Sequence, residues 1–119
     1  MHEIWKEFTF EAAHRLPHVP PDHRCANLHG HSFRCRVFVR GTLRQPQGWV
    51  VDFAEISAAM APLLKQLDHA LLNDVPGLDN PTSEVLARWI YDRLRPALPG
   101  VSAVEVAETA TCGCVYRPA

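Results

Sequence analysis

The stretch HGHSFRCRVFVRG, from His29 to Gly41, leaves the chain little choice of local structure. Its odd positions carry His29, His31, Phe33, Cys35, Val37 and Val39, and its even positions include Ser32, Arg34, Arg36 and Arg40. Side chains of a strand point alternately to its two faces, so this run predicts a half-buried strand with a basic outer face, on which Phe38 is the exception. A strand with one apolar face needs a sheet and a layer to cover it. The run from Ile4 to His14 offers a partner: Ile4, Phe8, Phe10, Ala12 and His14 fall on one side, Trp5, Glu7, Thr9 and Glu11 on the other, with Lys6 interrupting the apolar side. Between the two lies RLPHVPPDHRCAN, whose prolines exclude regular structure and predict a long loop in which His18 and His23 read as surface residues.

Further along, RQPQGW predicts a turn and Trp49–Asp52 a short strand. Asp52 and Glu55 have the spacing of a helix capping box. Phe53, Ile56, Met60, Leu63, Leu64 and Leu67 recur at helical spacing, with Pro62 expected to kink or interrupt the helix. Thr82 or Ser83 caps a second helix carrying Val85, Leu86, Trp89, Ile90 and Leu94, ended by Pro96 and Pro99. Val101 to Glu108 alternates again, and Cys114 to Arg117 is a last short strand. Strands grouped around two helices predict one α+β domain over residues 1–119, an antiparallel sheet with both helices on one face.

The composition, 47% hydrophobic and 21% charged with a net charge of −1, excludes a disordered chain and supplies no general attraction to nucleic acid or anionic membrane. No apolar run reaches a membrane span and MHEIWKEF lacks the apolar core of an export signal, so a cytoplasmic protein is expected. In a reducing compartment Cys25, Cys35, Cys112 and Cys114 are expected to be thiols rather than two disulfides, Cys35 serving packing.

Seven histidines exceed what a core of this size needs. His29 and His31, two apart on a strand, project from one face, and His14 at the end of the neighbouring run is the natural third. Three imidazoles suit a zinc ion. Cys25 then has two open roles: a fourth ligand closing a structural site, or a free thiol beside an open coordination position. Asp68 beside His69 permits an acid–base relay, although consecutive residues of an extended chain point in different directions.

The segments FEAAHRLP, CANLHGHSF, GWVVDFAE, LDHALLND, NPTSEVLARWI and VAETATCGCVYR, spread in order over nearly the whole chain, resemble the 6-pyruvoyl-tetrahydropterin synthase family. The three residues between Cys25 and His29 resemble its bacterial 6-carboxy-5,6,7,8-tetrahydropterin synthase branch, the QueD branch of queuosine biosynthesis. The resemblance implies the tunnelling fold, a four-stranded antiparallel sheet with two helices assembling into barrels as trimers or hexamers. It implies zinc on His14, His29 and His31, Cys25 as catalytic thiol, and Asp68 with His69 as an acid–base pair completing the site across a subunit boundary. It also implies Glu108 as the carboxylate gripping a pterin ring, and 7,8-dihydroneopterin triphosphate as substrate. Arg15 and Arg24 are candidates for its phosphates. The sister 6-pyruvoyl activity is the alternative; a zinc-stabilised module binding nucleic acid through Arg34, Arg36 and Arg40 is the rival of another class.

Overall fold

The computed structural model describes all residues from Met1 to Ala119. Two long strands, β1 (His2–His14) and β2 (His29–Gly41), pair antiparallel along their whole length, from His2 opposite Gly41 to His14 opposite His29. Helix α1 (Phe53–Leu67) follows, then β3 (Ala70–Leu71), α2 (Ser83–Leu94), β4 (Val101–Ala107) and β5 (Gly113–Tyr116). The sheet order is β3-β1-β2-β4-β5. The four longer strands are antiparallel to their neighbours; β3 lies parallel to β1 at Ala12 and Ala13. The sheet is therefore five-stranded and mixed at one edge, where four antiparallel strands were expected. Two residues suffice for β3 because the chain leaving α1 runs directly along β1.

The alternation of β2 sends Phe33, Cys35, Val37 and Val39 into a single core, together with Phe10 and Ala12 of β1 and Val104 and Val106 of β4. The helices cover this face, α1 against β1 and α2 against β4 and β5. Helix α1 contributes Ile56, Met60, Leu63 and Leu67, and α2 contributes Leu86, Trp89, Ile90 and Leu94. Phe53, grouped with the apolar stripe by spacing, is instead exposed at the first helical turn.

Pro62 does not break α1. It sits on the solvent side, as does Ala58 four residues earlier, so the carbonyl that loses its N–H partner is open to water. The Asp52 side chain accepts the Ala54 N–H at 2.9 Å, but Glu55 turns away to Arg44 at 3.2 Å, so the reciprocal half of the capping box is missing. Trp49–Asp52 forms no strand; Trp49 makes a single bridge to Arg44 while Val50 and Val51 are buried. Thr82 caps α2 by accepting the Val85 N–H at 3.1 Å.

The outer face of the sheet is not an open basic stripe. Arg36 meets Glu7 at 3.0 Å and Glu105 at 3.8 Å and stacks over Trp5, while Arg34 lies 3.9 Å from Glu7. No helix is long and apolar enough to cross a membrane.

Candidate metal centre and active site

The β1–β2 register decides the site. His14 stands opposite His29, and His31 opposite Ala12, so the three histidines form a triangle on the core-facing side. Their ring centroids lie 4.6, 5.2 and 4.8 Å apart. The apolar column ends beneath them at the stacked rings of Phe10 and Phe33. One nitrogen from each imidazole belongs to a set whose members all lie within 4.8 Å of one another.

Main-chain carbonyls orient two of the rings. Nδ1 of His14 lies 2.8 Å from the Pro81 carbonyl oxygen, and Nδ1 of His29 lies 2.7 Å from that of Asn27. A carbonyl only accepts, so each Nδ1 carries the proton and each Nε2 keeps its lone pair. Nε2 of His14 and Nε2 of His31 are buried without a hydrogen-bond partner. A buried polar atom left unpaired costs about 1–3 kcal/mol, and lone pairs converging in this way are what a divalent metal ion needs. The trio can hold a metal ion.

Burial is the largest influence on His14 and holds its pKa below the ordinary 6.5, outweighing the Pro81 carbonyl and Glu108, which act the other way. The neutral ring is the form that binds metal. In the metal-free protein the unfolded chain takes up the His14 proton near 6.5 and the folded chain only at lower pH. His14 therefore leaves stability intact above that window and erodes it as pH falls through it. The urea midpoint of chelator-treated protein is expected to drop between about pH 7.5 and about pH 5.5, and to drop less in His14→Gln. Equal pH dependence in the two proteins contradicts this.

Glu108 follows β4 on the same face as Val104 and Val106, which aims it at His31; its Oε2 lies 3.6 Å from His31 Nε2, too far for a hydrogen bond. Ser83 Oγ donates to its other oxygen at 2.9 Å. Cys25 sits in a one-turn 3-10 helix, Arg24–Ala26, and lines a cavity of about 570 Å³ with Arg24, His29, Gly30, His31 and Glu108. Its sulfur is outside the metal-competent set. Of the two arginines considered for phosphate, Arg24 lines this cavity, whereas Arg15 is tied through its backbone to Asn73. A Cβ on Gly30 would meet nothing closer than the Ala12 carbonyl at 3.5 Å, so packing does not require glycine there.

Asp68 and His69 do pair, Oδ1 to Nδ1 at 3.1 Å. His69 has φ 59°, a left-handed conformation that folds its ring back onto the preceding carboxylate. Asp68 also accepts the Glu11 N–H at 2.9 Å, and this bond is the main reason its carboxyl lies below the usual range, His69 adding to it. The pair is at the sheet edge with the His69 side chain 78% exposed. His69 borders a second cavity of about 510 Å³ that shares only Gly30 and His31 with the cavity of Cys25. Within one chain, then, His14, His29, His31, Cys25 and Glu108 are brought together, and Asp68–His69 stands apart.

Four participants escaped the sequence reading. The carbonyls of Pro81 and Asn27 carry no side-chain signal. Ser83 was visible only as a cap candidate. His23, read as a surface residue, accepts the Cys25 N–H on its Nδ1 at 3.0 Å. The remaining thiols lie outside the metal-competent set: Cys35 is fully buried, which pushes its pKa up to about 12, burial also raises Cys114, and Cys112 Sγ lies 2.9 Å from Thr109 Oγ1.

A family model described as 6-pyruvoyl tetrahydropterin synthase matches residues 3–119. A 6-carboxy-5,6,7,8-tetrahydropterin synthase of Synechocystis sp. is 49% identical, over 95% of this chain and 91% of its own. A dihydroneopterin monophosphate aldolase of Pyrococcus furiosus is 38% identical over 77% of this chain and 74% of its own. Among solved structures, a 6-pyruvoyl tetrahydropterin synthase of Caenorhabditis elegans superposes with a TM-score of 0.89 at 26% identity, covering 99% of this chain and 96% of that one.

Proposed function

The chain belongs to the 6-pyruvoyl tetrahydropterin synthase family and is an enzyme of the lyase type, and from that premise we propose that it is a zinc-dependent 6-carboxy-5,6,7,8-tetrahydropterin synthase. It converts 7,8-dihydroneopterin triphosphate and one water to 6-carboxytetrahydropterin, acetaldehyde and triphosphate, in the cytoplasm, as a step toward queuosine. The observation that carries this reading is the imidazole triangle with two buried, unpartnered Nε2 atoms beside a cavity containing one thiol and one carboxylate. The name of the Synechocystis relative supports the choice of branch.

His14, His29 and His31 hold the zinc, which when bound supplies Lewis-acid polarisation of substrate oxygens. Glu108, steadied by Ser83, accepts two N–H groups of the pterin's guanidine-like edge. Cys25, outside the ligand set, is the base that removes a carbon-bound proton. His69, oriented by Asp68, relays protons. Its exposure and its separation from Cys25 within one chain support an active site shared between subunits of a trimer or hexamer. The nucleic-acid reading loses most of its support, because two of the three arginines of β2 that would form the basic face, Arg34 and Arg36, are answered by Glu7 and Glu105.

The test is product analysis. Zinc-loaded protein given 7,8-dihydroneopterin triphosphate is expected to release acetaldehyde in step with 6-carboxytetrahydropterin. A three-carbon pyruvoyl product without acetaldehyde assigns the sister activity. Turnover of the monophosphate in preference to the triphosphate assigns the chemistry named for the Pyrococcus relative.

A further inference from the structure

The thiol of Cys25 lies in a loop that has little reason to hold still. Residues 15–28 separate β1 from β2 and contain Pro17, Pro20 and Pro21; their only regular piece is the three-residue turn Arg24–Ala26. A single 3-10 turn has too few internal bonds to maintain itself. External bonds hold it instead. Leu16, two residues beyond His14, donates its N–H to the Cys25 carbonyl at 2.8 Å. On the other side His23 makes three bonds: its N–H to Pro20 at 2.9 Å, its carbonyl from the Ala26 N–H at 3.0 Å, and its ring Nδ1 from the Cys25 N–H at 3.0 Å.

His23 is thus the N-cap of the turn that carries the thiol, at a position where a short Asn, Asp or Ser side chain is the usual acceptor. Its ring is exposed and lines neither the cavity of Cys25 nor the metal-competent set. A core-packing role is excluded by that exposure.

We propose that His23 is a positioning residue: by accepting the Cys25 N–H it fixes the backbone from which the thiol reaches the substrate cavity. This rests on the reading of Cys25 as the catalytic thiol. Proton abstraction requires the sulfur and the carbon-bound proton in near-attack geometry, and misplacement by about 1 Å costs on the order of a hundredfold in rate. Substrate affinity and metal content depend on other residues, so the effect falls on kcat.

His23→Ala and His23→Asn, with Cys25→Ala as the reference, test this in the zinc-loaded protein. His23→Ala is expected to lower kcat by about ten- to hundredfold with KM, zinc stoichiometry and melting temperature near those of the parent. His23→Asn, whose Oδ1 can take the same N–H, is expected to return kcat to within about threefold. Alkylation of Cys25 by iodoacetamide, followed by mass spectrometry, is expected to quicken in the alanine variant as the turn loosens, and to slow again in the asparagine variant. Parental kcat in His23→Ala beside an inactive Cys25→Ala overturns this proposal alone. Equal impairment of the Ala and Asn variants overturns it too, because the acceptor would not be what matters. An active Cys25→Ala overturns the role of the thiol itself, and this proposal with it.

Discussion

Cys25→Ala is expected to retain one zinc per chain and the parental melting temperature while losing about 10²- to 10⁴-fold in turnover, the usual contribution of a positioned acid or base. The sulfur is outside the set of nitrogens that can hold the ion, so its removal takes away no ligand. The turn around it is held through main-chain groups, the Cys25 N–H and carbonyl, which alanine keeps. The thiol is half-buried, and its loss opens no large void in the core. A structural zinc module predicts the reverse. There the thiolate would be the fourth ligand, and its loss would release metal and unfold the chain, because metal binding and folding are coupled in such sites. Metal analysis, thermal melting and acetaldehyde release on this one protein separate the two. Loss of zinc together with a collapse of the melting temperature would remove the enzymatic reading of the thiol.

How far the residues announce the site follows from which forces hold it. The β2 limits, His29 to Gly41, are legible because every second side chain is buried and a one-residue slip would expose all of them. The same parity carried His14, His29 and His31 onto one face, and Glu108 beside Val104 and Val106. What parity cannot convey is direction within a side chain. The Nε2 atoms face inward because carbonyls of Pro81 and Asn27 take the Nδ1 protons, and a backbone carbonyl is present at every residue. Pairing of Asp68 with His69 was hidden for a related reason: it needs the left-handed backbone at His69, which no glycine or asparagine marks. The short parallel strand β3 was hidden because two residues have no periodicity; only the proximity of β1 makes them a strand. Helix α1 survives Pro62 because the face on which the proline falls is exposed, a fact that depends on where the helix docks.

His14→Ala is expected to give the opposite pattern to Cys25→Ala, with metal, turnover and stability all lost together. His14 is the most enclosed of the three imidazoles, 1% exposed, with its ring against Phe33 at 5.6 Å between centroids. Its Nε2 is one of the two buried nitrogens without a protein partner, so on the proposed ligand set alanine removes a donor the other two rings cannot replace. Its Nδ1–H is also the donor to Pro81, the residue just before the Thr82 cap of α2. Without it a buried carbonyl loses its partner, at about 1–3 kcal/mol, in a protein that carries no metal at all. The metal-free variant is therefore expected to unfold at lower urea than metal-free parent. Adding zinc separates the second effect from the first: at a hundredfold over its dissociation constant a ligand bound only by the folded state stabilises by about 2.7 kcal/mol, a gain the parent shows and the variant lacks. Urea melts of both proteins with zinc and with chelator check all four values. A zinc-dependent rise in His14→Ala equal to that of the parent would mean that the ion is held elsewhere.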